Sequence, residues 1–140
     1  MTFIVLDRDG VINKDSDDYI KAADEWIPIE GSLEAIATLT ASGYRVAIAT
    51  NQSGLARGLF DEYALANIHQ KLCASVEDEG GFIEGIFFCP HGPDESCSCR
   101  KPGTGLLTRI EQELGVSLAG QAFVGDSLTD LQAAQSYNMR

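Results

Sequence analysis

Three features of the sequence predict an α/β fold built on a doubly wound parallel sheet. Strand-like apolar runs alternate with helix-periodic stretches along the whole chain, each apolar run breaks off into polar residues, and no repeat or low-complexity linker interrupts the alternation. Strands joined through helices take right-handed crossovers and all point one way. At 140 residues the chain is read as a single domain, 1–140. Its formal charge of −11 excludes nucleic acid and anionic membrane surfaces as partners. Nothing approaches the ~18 uninterrupted apolar residues of a membrane span. The N-terminal residues show no basic region or cleavage site, so the expectation is a cytoplasmic monomer acting on a small molecule.

The first strand is Phe3-Ile4-Val5-Leu6, which ends in Asp7-Arg8-Asp9-Gly10: two carboxylates one residue apart at a strand's carboxyl end, where open α/β sheets bind ligands. An acidic loop, 14–19, follows. Leu33, Ile36, Ala37 and Thr40 keep helical spacing up to Gly43. The second strand, 44–50, runs into Thr50-Asn51-Gln52-Ser53-Gly54. A helix from about Asp61 carries Leu65, Ile68, Leu72 and Val76, with Cys73 read as core and His69 as surface. The third strand, 83–88, leads into a cysteine-rich loop and Arg100-Lys101-Pro102. Leu106, Leu107, Ile110 and Leu114 mark the next helix, closed by Gly115. The fourth strand, 121–125, ends at Asp126, and a last helix begins near Ser127.

Because parallel strands share one direction, the polar clusters at their ends must meet on one edge of the sheet. Carboxylates at Asp7, Asp9 and Asp126 make an all-oxygen site suited to Mg2+. Thr50, Asn51, turn N–H groups and Lys101 are donors facing them. Acids that hold a metal, opposed by donors, describe a phosphoryl site. Asp7, the more rigidly held, is the expected nucleophile, forming an aspartyl-phosphate. Asp9 is the expected acid and base, and Lys101 the clamp on the phosphoryl oxygens. Asp130 fits either a helix-cap acid or a functional residue.

Of the four cysteines, three fall in the loop Cys89-Pro90-His91 to Cys97-Ser98-Cys99. Three thiolates and an imidazole are a structural zinc set, and a segment with so little apolar content needs a metal to order it. Reduced cysteines in an unliganded loop are the alternative.

The ordered motifs Asp7-Arg8-Asp9-Gly10, Thr50-Asn51, Lys101-Pro102 and Gly125-Asp126 resemble those of the haloacid dehalogenase superfamily. With Val11-Ile12-Asn13, Gln52-Ser53-Gly54-Leu55-Ala56-Arg57-Gly58 and the Cys/His loop, nearly the whole chain is similar to the D,D-heptose 1,7-bisphosphate 7-phosphatase family. That resemblance implies a capless Rossmann-like fold with a zinc-bound loop. It implies catalysis by Asp7, Asp9, Thr50 and Lys101, and magnesium held by Asp7, Asp9 and Asp126. Zinc falls on Cys89, His91, Cys97 and Cys99. Contacts to a sugar-phosphate substrate fall on Asp15, Tyr19, Asn51, Gln52, Ser53, Arg57 and Arg100. The implied role is removal of the C7 phosphate on the route to nucleotide-activated heptose for lipopolysaccharide.

Histidinol-phosphate phosphatases share the zinc loop but usually place an aspartate where Ser53 stands. A zinc-held scaffold without catalysis is a further alternative. Thr104 stands at a usual proline, and the loop 15–18 is longer than in some relatives. The chain stops at Arg140 where relatives continue into another strand, which predicts an open edge beside the fourth strand and a weakened or partner-dependent fold.

Overall fold

The computed structural model describes residues 2–140. Strands β1 (Phe3–Leu6), β2 (Arg45–Asn51), β3 (Gly85–Cys89) and β4 (Ala122–Val124) alternate with helices α1 (Ser32–Ala41), α2 (Glu62–Asp78), α3 (Gly105–Leu114) and α4 (Leu128–Ser136). All neighbours in the sheet pair in parallel, in the order β3-β2-β1-β4. β1 and β2 are therefore central, which is why their sequences read as unbroken apolar runs.

Side-chain alternation divides the core into two layers. Phe3 and Val5 of β1, with Ala47 and Ala49 of β2, pack under Leu106, Leu107 and Ile110 of α3 and Ala133 of α4. Ile4, Leu6, Val46 and Ile48 point to the opposite face, against Ile36 of α1 and Ile68, Leu72 and Val76 of α2. The period of two in the strands meets the period of 3.6 in the helices on both sides of one sheet. Local signals set the helix ends: the Asp61 carboxylate accepts from Ala64 N at 2.8 Å to start α2, and Gly115 ends α3 with φ +66.

The segment between β1 and α1 carries no inserted domain, so the carboxyl edge of the sheet stays uncovered by a cap. It is anchored by Ile20 and by Trp26, which is 1% exposed. A 3-10 turn, Ala23–Glu25, leads into Trp26, and Lys71 of α2 donates to Ala23 O (2.8 Å) and Trp26 O (3.0 Å).

The edge beyond β4 is less open than the sequence predicts. Asn138, at φ +57, turns the chain back after α4, and the Met139 side chain is buried. Arg140 N then donates to Gln121 O and Arg140 O accepts from Phe123 N, both at 2.8 Å, so two ladder bonds already lie along that edge. Among the described residues, no helix is long and apolar enough to cross a membrane.

Candidate active site

Parallel strands deliver their carboxyl ends to one side, and a cavity of about 280 Å³ lies there. Asp7, Asp9, Thr50, Lys101 and Asp126 line it, as do Asp15, Tyr19, Asn51, Gln52, Ser53 and Arg100. Arg57 does not. Its guanidinium lies 5.9 Å over the ring of Tyr19, which does line the cavity and has φ +68. Ser16 also lies on the wall, within the loop 15–19 that the family resemblance assigns to substrate contact, whereas Ile20, Ser127 and Thr129 had no site role in the sequence reading. No residue type or spacing distinguishes these three from ordinary loop or helix-start residues.

Asp7 follows β1 directly, and its N–H donates to Val124 O at 2.9 Å, which extends the sheet by one residue. Lys101 Nζ donates to Asp7 Oδ1 (2.9 Å) and to Ala49 O (3.0 Å), and it pairs with Asp130 Oδ1 at 2.6 Å. Lys101 is 4% exposed and Asp130 1%, so the lysine is a buried cation between two carboxylates rather than a solvated surface charge. The amide of Asn51 holds the lysine's backbone in place: Lys101 N donates to Asn51 Oδ1 (3.0 Å), and Asn51 Nδ2 donates to Lys101 O (3.3 Å).

Burial pushes the Asp7 carboxyl up to about 7. The Lys101 charge opposes the rise and neighbouring Asp130 adds to it. A carboxyl raised this far is short of compensating positive charge, so the site suits a further cation. Oxygens of Asp7, Asp126 and Asp130 lie within 4.8 Å of one another, a set of hard ligands that fits a magnesium ion. Asp130 joins this cluster, while Asp9, which the sequence reading also gave to the metal, lines the same cavity. Asp130 keeps its helix-end role as well, accepting from Ser127 Oγ (2.9 Å) and Ser127 N (3.3 Å). Two glycines make room for these acids. A Cβ at Gly10 would lie 1.9 Å from Asp126 Oδ2, and one at Gly125 would lie 2.3 Å from Asp130 Cβ.

Asp9 is engaged elsewhere. Its Oδ1 accepts from Arg8 Nε and from Asn13 Nδ2, both at 2.9 Å, while Oδ2 accepts from Gln52 Nε2 at 3.1 Å. Gln52 Nε2 also donates to Thr50 Oγ1 at 3.0 Å, which links the ends of β1 and β2.

His69, expected on the surface, is instead half-buried, with Nε2 3.1 Å from Arg8 Nη1. Helical spacing put it beside the apolar stripe, and only the packed loop after β1 closes over it. Burial, reinforced by the Arg8 charge, lowers its pKa to about 3. With the folded value depressed, its contribution to stability is fully present above the unfolded value, near 6.5, and is lost as pH falls towards 3. His69→Gln is expected to flatten the fall in urea midpoint over that window, whose limiting slope for one proton is about 1.4 kcal/mol per pH unit. Parallel curves for parent and variant would show that the imidazole does not titrate in this way.

The cysteine loop converges as a set: the ligand atoms of Cys89, His91, Cys97 and Cys99 lie within 4.8 Å of one another. His91 Nδ1 is 3.3 Å from both Cys89 Sγ and Cys99 Sγ, and Cys97 Sγ is 3.7 Å from Cys89 Sγ. Cys89 and Cys99 stand as a disulfide with Cα–Cα 5.5 Å, not as the separate thiolates expected. Their short loop leaves the closest sulfurs in contact. Cys73 packs against the α1/α2 layer, as predicted. Arg100 Nη1 donates to His91 O at 3.3 Å, so the loop also steadies an arginine on the cavity wall.

A buried carboxylate–lysine pair beside a metal-ready acid cluster, at the open end of a parallel sheet, marks the class of phosphoryl-transfer hydrolases. The chain belongs to the haloacid dehalogenase-like hydrolases, whose family model matches residues 2–138. It is 55% identical over 135 residues to a D-glycero-beta-D-manno-heptose-1,7-bisphosphate 7-phosphatase of Pseudomonas aeruginosa, covering 96% of this chain and 76% of that one. The crystal structure of a D,D-heptose 1,7-bisphosphate phosphatase from Bordetella bronchiseptica, complexed with magnesium and phosphate, superposes with a TM-score of 0.95 at 53% identity. That match covers 99% of this chain and 78% of the other. A Burkholderia thailandensis phosphatase of the same name gives a TM-score of 0.74 at 39% identity, over 100% of this chain and 76% of that one.

Proposed function

We propose that this chain removes the C7 phosphate of D-glycero-D-manno-heptose 1,7-bisphosphate, on the way to the activated heptose of lipopolysaccharide, as a cytoplasmic monomer. The observation that carries the reading is the Asp7–Lys101–Asp130 group beside Asp9, in a chain more than half identical to enzymes of that name.

A carboxylate oxygen of Asp7 attacks phosphorus. The bond to the sugar oxygen breaks, and that oxygen leaves with the electron pair and a proton from Asp9. Asp9, now a carboxylate, takes a proton from water as the water oxygen attacks the aspartyl-phosphate. The Asp7–phosphorus bond then breaks, releasing phosphate. Lys101 and Thr50 hold phosphoryl oxygens, and Arg100, Asn51, Ser53, Asp15 and Tyr19 contact the sugar. Arg57 acts through Tyr19. Asp7, Asp126 and Asp130 would hold magnesium, which when bound offsets the repulsion between carboxylate and phosphate.

Phosphate release from the heptose bisphosphate is expected to depend on magnesium and to exceed that from histidinol phosphate in kcat/KM. A higher value for histidinol phosphate would overturn the substrate, and release from neither would favour a scaffold.

Zinc at Cys89, His91, Cys97 and Cys99 is part of the same proposal, supported by the convergence of His91 and Cys97 on the Cys89–Cys99 pair. Protein purified under reducing conditions is expected to hold about one zinc per chain. Chelation is expected to lower the melting temperature, and Cys97→Ser to reduce the zinc content. Reduced, folded protein free of zinc would contradict this assignment.

A further inference from the structure

We infer that Arg8 and His69 form a positioning relay for the proton-carrying carboxylate: Arg8 fastens Asp9 Oδ1, His69 fixes the far side of Arg8, and the transferred proton is confined to Asp9 Oδ2. This rests on the phosphatase reading above, in which Asp9 carries the proton.

Arg8 lies between the two reactive acids in sequence, yet its side chain does not line the cavity and is 0% exposed. A guanidinium cannot shed its charge, so burying it costs several kcal/mol unless partners surround it. The structure supplies two. Arg8 Nε donates to Asp9 Oδ1 at 2.9 Å, and Nη2 closes on the same oxygen at 2.8 Å as an ion pair. On the other side Nη1 meets His69 Nε2 at 3.1 Å. An imidazole can take that hydrogen bond only when neutral, with its own proton on Nδ1. Burial and the Arg8 charge keep His69 in that form.

The consequence falls on Asp9. Oδ1 accepts two N–H bonds, one from Arg8 Nε and one from Asn13 Nδ2, which occupy both of its lone pairs and leave none to hold a proton. Oδ2 accepts one bond, from Gln52, and keeps the other site for the leaving oxygen. In a proton transfer that must occur within hydrogen-bond reach, choosing the oxygen in advance removes a rotational search from the reacting state. The relay acts through Asp9, so Arg8 and His69 are positioning residues.

Proton donation matters only when the leaving group needs a proton. A sugar alkoxide does; the nitrophenolate of p-nitrophenyl phosphate does not. We would therefore measure kcat/KM, which reports steps through departure of the leaving group, for a sugar phosphate and for p-nitrophenyl phosphate with magnesium present. In His69→Leu the sugar ester is expected to slow by about tenfold and the aryl ester by less than about twofold, with His69→Gln, which keeps an acceptor, restoring the sugar ester. Arg8→Lys is expected to widen the gap towards about 100-fold, and the His69 pair carries the test if that variant does not fold. Equal slowing of both esters, or no change in either with folded His69→Leu, would overturn the relay. Release from neither ester by the parent protein would remove the phosphatase reading itself, and the relay with it.

Discussion

Asp7→Asn is expected to lose turnover by roughly 10⁴-fold or more, the scale seen when a nucleophile is removed from a covalent mechanism. The fold should survive. Asn is nearly the same size as Asp, and Lys101 keeps Asp130 at 2.6 Å as its partner. The stability change even has a favourable sign. The Asp7 carboxyl is raised to about 7 when folded, against 3.8 unfolded, so the folded state binds the proton more readily. Its stabilising contribution is fully present below 3.8 and is lost as pH rises through about 7. Near neutral pH in a chelator, the neutral amide should therefore leave the urea midpoint unchanged or higher, while phosphate release disappears. A variant that turns over at more than a few per cent of the parent rate would remove Asp7 from the role of nucleophile.

Lys101→Met is expected to damage both stability and rate. Lys101 is shared by Asp7 Oδ1, Asp130 Oδ1 and Ala49 O, and removing it leaves two carboxylates facing each other with little solvent. Breaking a buried pair of this kind costs about 3 kcal/mol or more, which urea denaturation in a chelator would read as a lower midpoint. Magnesium should recover part of the loss, because a cation placed among the same acids supplies some of the missing charge. Activity should not recover with it: loss of an electrostatic contact to the transferring group is worth about 10²–10³-fold in kcat. A parent-like midpoint and rate would mean that the lysine is incidental to the site.

Much of this was legible in the linear chain because its signals are local or periodic. Unbroken apolar runs belong to strands buried on both faces, and β1 and β2 turned out to be the central pair. A carboxylate at the end of such a run needs no further information to be placed at the sheet's open edge, so Asp7, Thr50 and Asp126 could be named together. Gly115, Asp61 and the stripe Leu65, Ile68, Leu72 and Val76 likewise carry their structural meaning within a few residues.

Other placements depend on partners distant in the chain. His69 reads as surface within its own helix, and it becomes half-buried because Arg8, 61 positions earlier, lies against it. Asp130 satisfies the rules for a helix start, and only Lys101, packed beneath α4, makes it a member of the acid cluster. Arg57 was given to substrate by the family resemblance of its stretch, and the turn carries its guanidinium over Tyr19.

The amino-acid order alone therefore determined the sheet, its direction and the edge where chemistry gathers, since hydrophobic period and strand polarity are properties of a segment by itself. Tertiary packing decided which oxygen of each carboxylate is free, which cation serves two acids and which histidine stays neutral. Those outcomes depend on distances of about 3 Å between groups dozens of residues apart, and such distances exist only once the two core layers have closed around the sheet.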